Sequence, residues 1–555
     1  MRTRKDLLPK ETIARVEKIL NNIGVSVVIK EKQCYEQYWY SVRLEINGLE
    51  GVGVNGKGIS EEYALASAYG ELMERLQSGT LIDNLYSAFH NIEDYNYFNT
   101  YEELIDSLQY MCPDKNLEHY KIQSRKIYKK ATYFDCIGKK EVELPEWFID
   151  MDCMTNGLCA GNTFHEAVVQ GIFEVFERHV RRRIYEGKTQ VSLIQESELK
   201  NLAAYKMLYE IRNKGYEWNV IDCTDGGRFP VLGVIIWDKL KENYIFVMGA
   251  DLDMDICIQR CITEMFQGRN FNFLFRKYLK SKYDIYQDKE LECNEEYHKA
   301  VTSNDGRVPY HVLYCNKYST QWTKVFNEQM GTNKEVYERL YHMLKEGGYT
   351  LYIRDMSYLG FPTYRVYIPG LSEVIDATKC YLLHDVAIGQ FVENICKIDV
   401  LDEDKVEDII NQAYILYDIP FNKNISFLQR MKGVVLREKQ YVLDNDYLFF
   451  ILNKRLKRDE ECIKSLVTLI DKYPHLKREI FMLFMNHLDT GIDSIEIETN
   501  SIVKKENELP FICCPDCEKC NLKSVCQIDN WKNIVDKLHY AKDKGELGWN
   551  IMSQN

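Results

Sequence analysis

The sequence predicts an α+β protein in three parts. A domain of mixed sheets with buried, carboxylate-lined helices covers residues 1–400, an α-helical, repeat-like domain covers 401–505, and a Cys-rich tail covers 506–555. Three observations predict it. Strand-forming and helix-forming stretches mix up to about residue 400, charged helix-forming sequence takes over beyond that point, and five cysteines crowd between Cys513 and Cys526. A chain of 555 residues is also too long for one simple core, so two or three domains are expected.

The first part opens with a helix over 11–22, then β-rich VSVVIK (25–30) and YWYSVRLEI (38–46). Residues 60–77 read as a helix, and a less regular, tyrosine-rich section runs to about 145. The strongest helix spans Asn162 to Ile184. Thr163 and Glu166 stand at capping-box spacing, where each side chain can accept from the other's free backbone amide, and no proline interrupts the run. FPVLGVIIW (229–237) and YIFVMGA (244–250) read as apolar strands, and a helix covers 255–269. TLYIRDM (350–356) and TYRVYIPG (363–370) form a late strand pair closing the same domain. Beyond 400, SFLQRMKGVVLRE and EECIKSLVTLIDKYPHL predict packed helical hairpins, and a last helix falls near 529–544.

A hydrophobic share of 45% with 28% charged residues is a globular balance and argues against extensive disorder. The net charge of −13 argues against a broad footprint on nucleic acid, and no sequence-specific binding to it is expected. The densest basic run, Arg178, Arg181, Arg182 and Arg183, reads as a solvated helix face. The N-terminus lacks the apolar stretch of a secretory signal, and no uncharged apolar run could span a bilayer. Scattered thiols in such a chain read as reduced core residues, so the cytoplasm is the expected compartment.

One internal repeat carries the chemistry. Gly58 precedes Glu71 by thirteen positions, Gly161 precedes Glu174 by the same distance, and both segments end Glu-x-x-Glu-Arg, at Arg75 and Arg178. ICIQRCITEMFQGR (256–269) is a degraded third copy. One turn before Glu71, Glu174 and Glu264 stand Ser67, Gln170 and Arg260, on the same helix faces. Asn162, Glu166, Gln170 and Glu174 recur every four residues, with Glu177 three further on, so they line one stripe.

The glutamates sit among apolar and small residues, unlike the Glu/Lys mixture of a solvated face. If the two helices pack as related units, Glu71, Glu74, Glu174 and Glu177 converge, and such crowding raises carboxyl pKa values unless cations neutralise it. Oxygen-only ligands suit Mg²⁺, which also takes phosphate oxygens and water, while Asn, Ser, Gln and Arg suit ribose and phosphate contacts. The pattern is that of a Mg-nucleotide site. GVGVNGKG (51–58) nearly matches a phosphate-binding P-loop, but Gly58 stands where that loop needs Ser or Thr for Mg²⁺. Its glycines are expected to allow a tight turn or close backbone approach, with Lys57 of little consequence.

NGKGISEEYALASAYGELMER, TNGLCAGNTFHEAVVQGIFEVFERH and the third segment through Arg269 resemble, in order and separation, the signature segments of the YcaO family. The resemblance covers roughly residues 1–400, and YLGFPTYRVYIPGLSEV is similar to the family's closing strands. It implies an enzyme that uses ATP to activate a backbone amide. A nucleophile adds to the carbonyl, and the amide oxygen is phosphorylated and leaves. A side-chain nucleophile gives an azoline, and external sulfide gives a thioamide. Residue by residue, the resemblance implies Mg²⁺ ligation by Glu71, Glu74, Glu174 and Glu177, and nucleotide contacts from Lys5, Ser67, Asn162, Glu166, Gln170, Arg178 and Arg260. Arg178 and Arg260 are the expected catalytic cations.

Azoline-forming members end in a Pro-x-Pro-x-Pro tail, whereas this chain ends GWNIMSQN, which counts against azoline chemistry. The stand-alone bacterial type, with a C-terminal helical domain, is associated with methylthiolation of a small-subunit ribosomal protein as helper of a radical enzyme. The expected partners are therefore a polypeptide substrate, a methylthiotransferase or sulfur donor, and a second copy in a homodimer. A cyclodehydratase or thioamide synthetase for a ribosomally made peptide is the alternative enzyme. A nucleotide-binding docking scaffold is the alternative without catalysis. Cys514, Cys517, Cys520 and Cys526 have the spacing of a metal knuckle, with Zn²⁺ the default ion and an iron–sulfur cluster possible on thiolate ligands alone. His165 and His179 read as incidental helix residues.

Overall fold

The computed structural model describes residues 4–36, 38–49, 51–81, 101–111, 130–238, 240, 243–267, 308–326, 331–374, 403–418, 445–472 and 528–544. Helices and antiparallel sheets mix through the first part, as the sequence predicts. Its first layer is a sheet of β1 (Val27–Glu36), β2 (Trp39–Ile46) and β3 (Gly53–Gly58), in that order. Helices α1 (Pro9–Asn22) and α2 (Glu61–Gln77) pack on it through Val16, Leu20, Ala64, Ala68 and Leu72 against Val42 and Leu44. The glycine-rich segment is therefore a strand, with Lys57 opposite Ser41 and Gly56 opposite Val42, and not a phosphate-binding loop. Glycine is needed there for approach. A Cβ at Gly56 would lie 2.0 Å from the Ala64 carbonyl oxygen and 2.4 Å from the Ala68 nitrogen.

The second sheet runs β10 (Tyr244–Ala250), β9 (Val231–Trp237), β8 (Glu217–Asp222) and β7 (Ser192–Leu193). Both of its faces are buried, which is why β9 and β10 read as unbroken apolar runs rather than alternating ones. Leu232, Val234 and Ile236 pack with α6 (Tyr205–Asn213) and α7 (Met254–Met265), while Val231 and Ile235 face α5 (Phe164–Tyr185). The third sheet has the order β5 (Lys140–Pro145), β4 (Lys130–Asp135), β11 (Tyr352–Asp355), β12 (Thr363–Tyr367), β6 (Leu158–Ala160). The late strand pair thus sits at the centre of this sheet. The section read as irregular up to 145 supplies its β4 and β5, and α3 (Tyr101–Met111) and α4 (Glu146–Cys153) pack beside them. Helix α5 crosses β6 and β12 closely because residue 171 is glycine: a Cβ there would meet Cys159 Sγ at 2.8 Å. Helix α8 (Asn333–Glu346) closes the other side of α5.

Beyond residue 400 the described residues form α9 (Glu403–Asp418), α10 (Asn445–Arg455) and α11 (Asp459–Lys472), which pack together. The last helix, α12 (Ile528–Lys544), does something the sequence does not announce. Ile534, Val535 and Leu538 join the core of the first layer, Asn530 Nδ2 donates to the Gly48 carbonyl at 2.9 Å, and Lys537 Nζ to that of Gly24 at 2.8 Å. Leu538→Ala is expected to lower stability by about 2–4 kcal/mol, as for other buried leucines, measured by denaturant unfolding of the whole chain. Among the described residues, no helix is long and apolar enough to cross a membrane.

Candidate functional site

Helices α2, α5 and α7, the three copies of the repeat, face one cavity of about 520 Å³. Helix α5 is buried on nearly every side, with Val168, Ile172, Val175 and Phe176 fully enclosed. Its polar stripe therefore has only the cavity to face. Matching caps set the register of the first two helices: Ser60 Oγ accepts from the Tyr63 amide (3.3 Å), and Thr163 Oγ1 from that of Glu166 (3.1 Å). Lys5, Ser67, Glu71, Glu74, Asn162, Glu166, Gln170, Glu174, Glu177, Arg178 and Arg260 all line this cavity. The basic run of α5 is no solvated face, contrary to expectation. Arg181 is only 4% exposed, and both it and Arg178 point at the cavity carboxylates.

The four carboxylates of the two Glu-x-x-Glu-Arg segments each lean on an arginine of their own helix. Arg178 meets Glu174 at 2.9 Å, Arg181 meets Glu177, and Arg75 stands 3.9 Å from Glu71 and 3.6 Å from Glu74. These arginines do not fully offset the crowding. Burial pushes the Glu74 carboxyl up to about 8, with Glu174 and Glu71 adding to the rise and Arg75 opposing it. Glu71 is raised as well, by burial first, against the pull of Arg75 and Lys57.

At the start of α5 the balance reverses. Burial acts to raise Glu166, but Lys5 Nζ at 3.1 Å, the Asp6 amide at 2.9 Å and Asn162 hold it below the ordinary carboxylate range. Asn162 is fixed in turn by Thr12 Oγ1, which donates to its side-chain oxygen at 3.0 Å. On the α7 side, Arg260 Nη1 lies 3.9 Å from Asp251, whose carboxyl burial raises and whose nearer cation is Arg4 at 2.9 Å.

Sequence reasoning missed Arg4, Asp251 and Arg181, and it set Lys57 aside. Lys57 is a cavity residue. Its ammonium contacts Glu264 and, at 3.4 Å, Gln267 Oε1. Burial brings it down to about 8; Arg260 lowers it further, while Glu71, Glu177 and Glu174 oppose. Glu264 and Gln267 occupy the two places that are glutamates in the other copies. The third copy thus keeps one carboxylate where the first two present a pair, and Lys57 from β3 neutralises it. The signal was legible, since Glu264-x-x-Gln267 echoes Glu71-x-x-Glu74, but the glycines around Lys57 point to a tight turn or a close backbone approach and not to the strand that delivers it.

The donor set fits Mg²⁺ held jointly with a polyphosphate. Among the described residues no three His, Cys, Asp or Glu side chains surround one point unaided. A Mg²⁺ sharing phosphate oxygens and water needs only one or two carboxylates, and the raised Glu74 is a group that a cation would relieve. Cys514, Cys517, Cys520 and Cys526 lie outside the described residues. His165 and His179 pack against aromatic rings, His165 on Phe164 and Tyr337 and His179 on Phe229, with His179 brought to about 4 by burial and its arginine neighbours.

Residues 55–372, more than half of the chain, match the family model described as "YcaO cyclodehydratase, ATP-ad Mg2+-binding". The chain is 24% identical over 436 residues to the ribosomal protein S12 methylthiotransferase accessory factor YcaO of Escherichia coli, covering 73% of this chain and 72% of that protein. It is also 24% identical over 404 residues to an uncharacterized protein of Haemophilus influenzae, covering 67% of this chain and 66% of the relative. Similar solved structures include a heterocyclase in complex with substrate and cofactor (TM-score 0.45, 15% identity, 67% of this chain and 54% of that one). Another is YcaO from Methanopyrus kandleri bound with AMPPCP and Mg²⁺ (TM-score 0.43, 16% identity, 66% of this chain and 92% of that one). With its repeat helices gathered on one cavity and its family match running from Asn55 to Ser372, the chain belongs to the YcaO family.

Proposed function

We propose that the cavity takes Mg-ATP and that the chain uses it to activate a backbone amide of a polypeptide. One observation carries the reading: two copies of Glu-x-x-Glu-Arg, a hundred residues apart in sequence, share a single cavity with Lys5, Arg178 and Arg260. Mg-ATP, when bound, supplies the phosphoryl group that turns the amide oxygen into a leaving group, with ADP and phosphate as products. Glu71, Glu74, Glu174 and Glu177 are the carboxylates that would ligate Mg²⁺, one or two to an ion beside phosphate oxygens and water. Ser67, Asn162, Glu166, Gln170 and Lys5 orient the nucleotide. Arg178 and Arg260 steady the charge on the transferring group, a contact that gains strength in a site with little water.

The finer role we assign is accessory factor in methylthiolation of a small-subunit ribosomal protein, supported by the likeness to the Escherichia coli protein of that name. A homodimer and a methylthiotransferase or sulfur-donor partner belong to the same proposal, as do a catalytic unit ending near residue 400 and a helical unit over 401–505. Cys514, Cys517, Cys520 and Cys526 are proposed, on spacing alone, as a thiolate site for Zn²⁺ or an iron–sulfur cluster. The test is ADP release from Mg-ATP by the full chain, with and without a ribosomal S12 peptide. Stimulated turnover is the expected result. A precursor peptide that stimulates in its place favours the cyclodehydratase or thioamide reading. Tight nucleotide binding with no turnover under any peptide leaves a scaffold.

A further inference from the structure

Residues 4–6 cross the cavity wall on polar contacts: Arg4 to Asp251, Lys5 to Glu166, and Asn333 Nδ2 donating to the Arg4 carbonyl (3.2 Å) and Asp6 (2.8 Å). The Arg4 side chain is only 8% exposed. It commits Nη1 to Asp251 and leaves Nη2 buried without a hydrogen-bond partner. Gln259 on α7, 5% exposed, leaves its Nε2 in the same condition. Both residues line the cavity, and among the described residues no other cavity-lining side chain buries an unpartnered polar atom. An unpaired buried donor is costly, and one that borders a cavity marks where a ligand supplies the acceptor.

Charge points to the same ligand. Asp251 is shared by Arg4 and Arg260, two cations against one carboxylate, which leaves one surplus positive charge on the α7 wall. Lys57 does not add to it, being matched by Glu264. The carboxylates not matched on the α7 side, Glu71, Glu74, Glu174 and Glu177, occupy the α2 and α5 walls. A polyphosphate can then turn its metal-bridged oxygens to α2 and α5 and its free terminal oxygens to the two guanidiniums.

We propose that Arg4 and Gln259 read the terminal phosphoryl group, making the cavity selective for a nucleoside triphosphate over a diphosphate. The inference rests on the reading of the cavity as a Mg-nucleotide site. Neither residue was marked by the repeat or by the family resemblance. The selectivity also gives direction to the cycle, since ADP loses these contacts and leaves.

The experiment is calorimetry of the full chain with Mg-AMPPCP and with Mg-ADP. Arg4→Met should weaken Mg-AMPPCP by roughly ten- to hundredfold, the loss of one charge-assisted hydrogen bond, and leave Mg-ADP within about twofold. Gln259→Leu, close in volume and free of charge, should produce a smaller loss with the same selectivity. Equal losses for both nucleotides would overturn the proposal, because Arg4 then only pins the N-terminal segment. Unchanged affinity for both, in variants that unfold like wild type, would overturn it as well. Failure of the unaltered protein to bind either nucleotide is a different result and brings down the cavity reading itself.

Discussion

Glu174→Gln is expected to lower ATP turnover by about 100-fold or more, because a metal ion stabilising charge in phosphoryl transfer contributes several kcal/mol, and each 1.36 kcal/mol is tenfold in rate. Glutamine keeps the shape and can still accept from Arg178, whose present bond is 2.9 Å, so folding should hold while the anionic ligand is lost. The signature is a raised Mg²⁺ requirement as well as a lower rate, read by titrating Mg²⁺ at saturating ATP. Lys57→Met offers the contrast. It removes no metal ligand but strips Glu264 of its cation, so a loss nearer tenfold is expected. Abolished nucleotide binding in Lys57→Met, beside a normal Glu174→Gln, would reassign the site to the strand.

In the metal-free protein, stability should fall as pH rises from about 4.5 to about 8. The cause is Glu74, whose carboxyl stands at about 8 in the fold against an ordinary 4.5. Across that window the native state holds a proton that the unfolded chain has released, so each step up in pH favours unfolding. Glu71, also raised, acts in the same direction. Above pH 8 the sign reverses. Lys57, brought down to about 8 from 10.5, is then neutral in the fold while still protonated in the unfolded chain. Unfolding temperatures in chelator should therefore drop by a few degrees, roughly 3–6 °C, between pH 6 and pH 8. Saturating Mg-nucleotide should flatten the profile by supplying the cation that ionised Glu74 lacks. Glu74→Gln should flatten it without any ligand. A metal-free profile that stays level from pH 5 to 8 would mean that Glu74 is not held neutral.

What could be read beforehand depended on how local its cause was. The repeat helices were legible because caps, apolar filling and carboxylate spacing all lie within one turn of each other, from Ser60 to Arg75 and from Thr163 to Arg178. Strands β9 and β10 were legible as apolar runs buried on both faces. Strands β4 and β5 were not, since KATYFD and KEVELP are short and mix charged with apolar residues, and they become strands only by pairing at the edge of a sheet whose centre arrives two hundred residues later. Strand β3 was hidden by its glycines, which serve α2 rather than a turn. Arg4 and Asp251 carry no sequence signal at all, because their pairing spans 247 positions.

The docking of α12 has a consequence for synthesis. Ile534, Val535 and Leu538 complete a core whose other members lie mostly between Val16 and Leu76. Those residues emerge from the ribosome well before the helix that completes their core. At about 5–20 residues per second, the first layer stays incomplete for roughly 25–90 seconds. Through that interval it exposes the patch that α12 later covers and becomes a natural stop for a chaperone. A nonsense mutation after Met265 and before Ile528 would leave the site-bearing helices translated yet the layer beneath them open.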